Sequence, residues 1–228
     1  MFASIMKSLG YGSEENPNPT TAWLAVSYLT LRRVVGIMGV TLPIVLAVGC
    51  ILLSSTCEGI QDSISAYYGT IMRNVFVGVL FTIGWFLFSY KGYENKDDAA
   101  GDLACVFALG VVLFPITNPS KLVQGMHLFF AASLFITLAY FSGVLFTKSD
   151  GTQSSRKKTR NKIYKTCAWV MVSCIGFILI FKLFLKNTNI SNLKPTFWLE
   201  TFALWAFGIS WMTKGKLLWD DVAGEELK

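Results

Sequence analysis

The chain is poor in charge: Asp, Glu, Lys and Arg make up 15% of its 228 residues, against about 25% in an ordinary soluble domain. It has one histidine, His127, so a three-histidine zinc site is excluded. It has no Gly-x-Ser-x-Gly elbow to favour a serine hydrolase. No apolar run carries a filter-like loop or a repeated charge, which leaves a channel without support. The five cysteines, at 50, 57, 105, 167 and 174, lack paired or metal-ligand spacing. They are expected to be small packing residues rather than a disulfide framework. The first 20 residues have no long apolar stretch and include Glu14, Glu15 and two prolines, so no cleaved signal peptide is expected.

What is present is apolar: 53% of the residues are hydrophobic and 14% aromatic. A membrane-crossing helix needs roughly 20 mostly apolar residues. The runs here are continuous rather than alternating, which favours helices over a barrel. The sequence predicts an all-α polytopic membrane bundle with six transmembrane helices. The spans are Val34–Leu53, with Pro43 inside; Val75–Tyr90; Leu103–Thr117; Leu122–Phe146; Cys167–Leu185; and Phe197–Thr213. Residues 1–31 form a cytoplasmic or interfacial segment, 32–214 the six-helix domain and 215–228 a cytoplasmic tail. The stretch before Arg32 either lies along the interface or extends the first span.

Orientation follows from Lys and Arg, which favour cytoplasmic loops. Arg73, Lys121, Lys182, Lys186 and Lys194 lie on one side, leaving 15 of the 20 for the other. Both termini are therefore expected in the cytoplasm, and the protein in the inner (plasma) membrane as a multi-pass chain. The run TKSDGTQSSRKKTRNKIYK holds seven basic residues and one acid. It reads as a topology determinant touching acidic lipid, with no nucleic-acid fold around it.

The predicted topology brings polar groups to one outer depth. SISAYYGTIMRN supplies Ser63, Ser65, Tyr67, Tyr68 and Arg73; the fourth helix supplies His127 and the sixth Glu200. The external loop also carries Glu58 and Asp62. An ionisable group within a span costs roughly 2.5–3.5 kcal/mol on insertion scales, so Glu200 needs a partner or a wet cavity. Arg73 is the first candidate partner and His127 the second. The result is either a packing ion pair between helices two and six or a polar pocket opening to the outer leaflet. Hydroxyls, phenols and a guanidinium together suit a lipid phosphate or carboxylate.

On the opposite side, Lys91, Glu94, Lys96, Asp97, Asp98 and Asp102 form a mixed-charge loop. Paired aspartates can hold a divalent cation or act as acid and base. Here capping of the third helix by Asp97, Asp98 or Asp102, or plain solvation, is the expectation. Small residues at Gly36, Gly39, Ala104, Ala108, Ala203, Ala206 and Ser210 are expected to permit close helix approach. Ser133, Thr137 and Tyr140 form a polar stripe expected to bond between helices.

The segments LRRVVGIMGVTLPIVL, SISAYYGTIMRNVFVGVLFTIGWFLFSYKGY, DLACVFALGVVLFP and FWLETFALWAFGISWMTKG together resemble an uncharacterised group of bacterial six-span integral membrane proteins, over about residues 28–214. That resemblance implies the six-span fold and no particular reaction. QDSISAYYGTIMRNVFVGVL is also similar to the external segment of the DRAM-like six-span proteins, which would imply a lipid-associated or regulatory role. It departs from their pattern at Ala66 and at Met72-Arg73. Transmembrane hydrolases related to alkaline ceramidase carry several zinc-binding histidines, whereas this chain offers at most a mixed His127, Glu200 and Asp62 set. No metal and no cofactor are expected.

The functional expectation is an outward-facing polar pocket binding a lipid or small amphiphile without catalysis, through Ser63, Ser65, Tyr67, Tyr68, Arg73, His127 and Glu200. Alternatives are a small-molecule transporter and an outer-leaflet hydrolase or transferase, the latter with Ser63 or Ser65 as nucleophile. The expected partners are membrane lipid, a second copy of the chain or another membrane protein, and no nucleic acid.

Overall fold

The computed structural model describes residues 19–55, 57, 59–90, 95–148, 155–185 and 188–218. Within them run six α-helices: α1 (Pro19–Leu53), α2 (Arg73–Phe88), α3 (Asn95–Leu113), α4 (Lys121–Gly143), α5 (Ser155–Ile180) and α6 (Pro195–Lys214). No strand occurs among the described residues. Segments of α1, α4 with its following 3-10 turn, and α5 with its terminal π turn are each long and apolar enough to cross a membrane; α2 is apolar but shorter. Large apolar side chains cover the outside, with Leu122, Trp169, Leu183 and Phe184 all more than 70% exposed. Such a surface suits lipid rather than water, and the whole fits a membrane protein.

The stretch before Arg32 continues α1 without a break. At about 1.5 Å per residue this helix is about 52 Å long, well beyond a hydrocarbon core of about 30 Å. It passes through Pro43, where neighbouring helices tolerate the missing hydrogen bond. α3 starts at Asn95, which places positions 97 and 98 in its first turn, where acidic residues favour the helix dipole. Lys91, Glu94 and Glu58 lie outside the described residues.

The helices close a ring: α1 packs on α2, α2 on α3, α3 on α4, α4 on α5, α5 on α6, and α6 back on α1. The α6–α1 seam depends on glycine. A Cβ built on Gly36 would lie 2.7 Å from the Gly208 carbonyl oxygen, and one on Gly208 would lie 2.5 Å from the Gly36 oxygen. Only backbones without side chains approach this closely. Trp205 Nε1 donates to the Val40 carbonyl at 3.1 Å across the same seam.

The polar stripe of α4 does not bond between helices as expected. Thr137 Oγ1 donates to the Ser133 carbonyl one turn back in its own helix, and Tyr140 is exposed. The interhelical link is made instead by Ser142, whose hydroxyl meets Ser210 Oγ at 2.6 Å and donates to the Tyr164 carbonyl at 2.9 Å. It joins α4, α5 and α6. A second correction concerns cysteine: Cys50 at the end of α1 and Cys57 in the following loop form a disulfide. A seven-residue separation at a helix end brings the two within reach. Cys105, Cys167 and Cys174 are free and buried, in keeping with packing roles.

Candidate functional site

The segment between α1 and α2 folds back over the bundle end as a short 3-10 turn, Ser65–Gly69. Serine at its start supports the turn directly: Ser63 Oγ accepts the Ala66 N–H at 3.1 Å and lies 3.3 Å from Ser65 Oγ. Tyr67 is wholly buried. Its hydroxyl accepts the Gln61 N–H at 3.3 Å, and its ring packs on Phe197 with centroids 6.3 Å apart. Burial pushes the Tyr67 phenol up, with the Gln61 hydrogen bond acting the other way. Asp62 forms an ion pair with Lys194, the residue just before α6. Lys194 has φ 53°, in the left-handed region, and thereby turns the chain into Pro195, a favoured first helical residue.

Glu200, in the second turn of α6, faces this fold-back from beneath. Its Oε2 accepts the Ile64 N–H at 2.6 Å. The expected Arg73–Glu200 pair is not formed. Arg73 is exposed; its Nε donates to the Tyr68 carbonyl at 2.7 Å and its guanidinium covers the Tyr68 ring at 4.9 Å. The physical reason is local. Arg73 and Tyr68 are five residues apart across one turn, so the guanidinium finds its acceptor before it can reach the interior.

His127, in α4, is buried, and its Nδ1 lies 2.8 Å from the Phe114 carbonyl oxygen. A carbonyl only accepts, so Nδ1 carries the proton. The Phe114 oxygen directly follows α3, at a helix end where carbonyls lack intrahelical donors. His127 therefore caps a neighbouring helix. Among the described residues neither Ser63 nor Ser65 hydrogen-bonds to it, and no three His, Cys, Asp or Glu side chains converge as metal ligands. Asp62 in particular turns outward to Lys194.

Beneath the fold-back lies a partly enclosed cavity of about 60 Å³. Ser65, His127 and Glu200 supply its polar groups; the rest of its wall is apolar, from Leu42 of α1, Phe76, Leu80 and Ile83 of α2, Val111 of α3, Leu134 and Leu138 of α4, and Leu204 and Phe207 of α6. Thus three of the seven sequence-predicted residues meet at the cavity. Ser63 stands one hydrogen bond behind Ser65, Tyr67 is spent on the turn's own packing, Tyr68 is half-buried against the core away from the cavity, and Arg73 is exposed. The apolar lining had no sequence signal of its own. No protein-family model, curated protein or solved structure matches this chain.

Proposed function

We propose that the protein is a six-span protein of a bacterial inner membrane, both termini cytoplasmic, that binds one chain of a lipid or small amphiphile inside its helix ring. The polar end of the ligand would meet Ser65, His127 and Glu200. The observation that carries this reading is the cavity: apolar walls from five helices, with an ionisable pair and a hydroxyl among them. A space of about 60 Å³ holds about four waters at ~15 Å³ of such volume each. That size narrows the ligand from a whole headgroup to a slender terminal group or short run of chain. Arg73 and Tyr68 then belong to the headgroup region outside, not to the pocket.

Orientation has independent support. Disulfides persist on the oxidising side of a membrane, and Cys50–Cys57 sits at the end that the distribution of basic residues assigns to the outside. The ring of six helices supports a six-span reading, with α2, α3 and α6 as the three further spans. The partners proposed are membrane lipid and, through the exposed apolar faces, a second copy or another membrane protein.

A transporter is the second reading. It is favoured by one observation, the placement of two ionisable side chains at a cavity inside the ring, where substrate and proton paths are commonly marked by such groups. Substrate-dependent flux in proteoliposomes separates the two.

The binding reading is tested by photolabelling the reconstituted protein with an alkyl diazirine alcohol. Labels on cavity residues such as Phe76, Leu134 and Leu204, competed by unlabelled alcohol, are expected. Labels confined to the lipid-facing Trp169, Phe177 and Leu183 would reject it.

A further inference from the structure

The other end of the bundle gathers cations against aromatic rings. Glu200 and Lys214 are 14 positions apart on α6, about 21 Å at 1.5 Å per residue. There the Arg32 guanidinium lies 4.0 Å above the Tyr28 ring and 5.5 Å from that of Tyr90. The Lys214 ammonium lies 5.2 Å from the Phe146 ring. Trp211 joins the two, packing edge-on with Tyr90 at 5.9 Å and with Phe146 at 5.3 Å. A Cβ built on Gly215, next to Lys214, would lie 3.3 Å from the Arg32 Cβ, so Arg32 and the end of α6 are close. Lys157 Nζ donates to the Phe146 and Lys148 carbonyls at 3.3 and 3.1 Å. Arg33 behaves differently: it donates to the Gly215 and Lys216 carbonyls at 2.7 and 3.3 Å, and so caps α6.

Among the described residues, Arg32 and Lys214 have ring faces rather than carboxylates as partners. Two N–H donors in this cluster, Arg32 Nε and Trp211 Nε1, are buried with no acceptor. Trp211 itself is 2% exposed. Buried donors are almost always paired, and low dielectric makes an unpaired one costly. The like charges of Arg32 and Lys214, from α1 and α6, raise that cost further. An oxyanion bound among them would supply the missing acceptor and counter-charge.

We propose that Arg32, Lys214 and the Trp211 indole N–H form a binding site for a phosphate group. The planar donor fork of Arg and the point charge of Lys suit an acceptor with several oxygens. A phospholipid headgroup and free phosphate carry the same chemistry. The site is separate from the Glu200 cavity and does not depend on how that cavity is used.

The test uses the full chain in phosphatidylcholine nanodiscs. Inorganic phosphate is titrated calorimetrically, and dioleoyl phosphatidic acid is scored by native mass spectrometry. One bound equivalent of at least one probe is expected. Arg32→Gln and Lys214→Gln should each weaken it about tenfold, the scale of one charged hydrogen bond. Trp211→Phe, which keeps the ring and all the charge, should weaken it measurably. Should Arg32→Gln not fold, Arg32→Lys retains the charge and replaces the Nε donor, and a loss there has the same meaning. Binding of phosphatidic acid alone assigns the site to a lipid headgroup, and binding of phosphate alone to a soluble anion. The proposal is overturned if neither probe binds, if Trp211→Phe binds as wild type, or if a Lys158→Gln, Lys162→Gln, Lys165→Gln triple variant on the exposed face of α5 loses as much as Arg32→Gln.

Discussion

The Glu200 carboxylate accepts the backbone N–H of Ile64 at 2.6 Å, joining α6 to a loop 136 positions away in the chain. The contact fastens the outer fold-back to the helix ring, so its loss leaves a buried donor unmet. Glu200→Ala should destabilise the protein by about 1–3 kcal/mol. Glu200→Gln keeps an oxygen acceptor and should cost less. Thermal unfolding in detergent orders the three proteins; equal losses for Ala and Gln would show that the charge, not the hydrogen bond, holds the loop.

Arg73 gives the opposite expectation. Its guanidinium serves only its own turn, through the Tyr68 carbonyl and ring. Exposed pairs of this kind contribute ~0–1 kcal/mol. Arg73→Ala should therefore change stability little and leave any cavity ligand in place, as measured by melting and by the mass of co-purified lipid.

The glycine seam between α1 and α6 has little room. Gly36→Ala and Gly208→Ala each place a methyl within 2.7 Å of a facing backbone oxygen, and overpacking of this kind costs about 1–3 kcal/mol. Gly78→Ala has nothing within 4 Å and, in a helix interior, should stabilise by up to about 1 kcal/mol. Chemical or thermal denaturation of the three variants checks the contrast in sign.

The disulfide closes a short loop. Replacing Cys50 and Cys57 together with Ser should cost about 2.5 kcal/mol by the chain-entropy relation. The same loss should follow reductant added from the outside of sealed, right-side-out vesicles, while reductant trapped inside should have none.

Much of the architecture was legible because length and apolarity alone demand helices. The later helix limits fall within a few residues of the apolar runs, apart from the polar starts of α3 and α5. The interior was not legible, and α2 shows why. Phe76, Leu80, Ile83 and Leu87 are buried while Phe81, Trp85 and Phe88 face outward, yet both sets are apolar. A helix that is hydrophobic all round carries no stripe to mark its core face. Glu200 and His127 stood out as rare ionisable groups in spans, but their partners are backbone atoms of Ile64 and Phe114. Every residue has the same backbone donors and acceptors, so residue types named the wrong partner, Arg73.

The most direct measurement fills the cavity. Ala131 lines it, and Ala131→Leu places three further carbons in the space without adding charge. Protein extracted with its surrounding lipid would be weighed by native mass spectrometry, wild type beside variant, with melting temperatures recorded. The account predicts a bound amphiphile of defined mass in wild type that is lost from Ala131→Leu, with stability kept or raised. An identical lipid profile in the two folded proteins would contradict it.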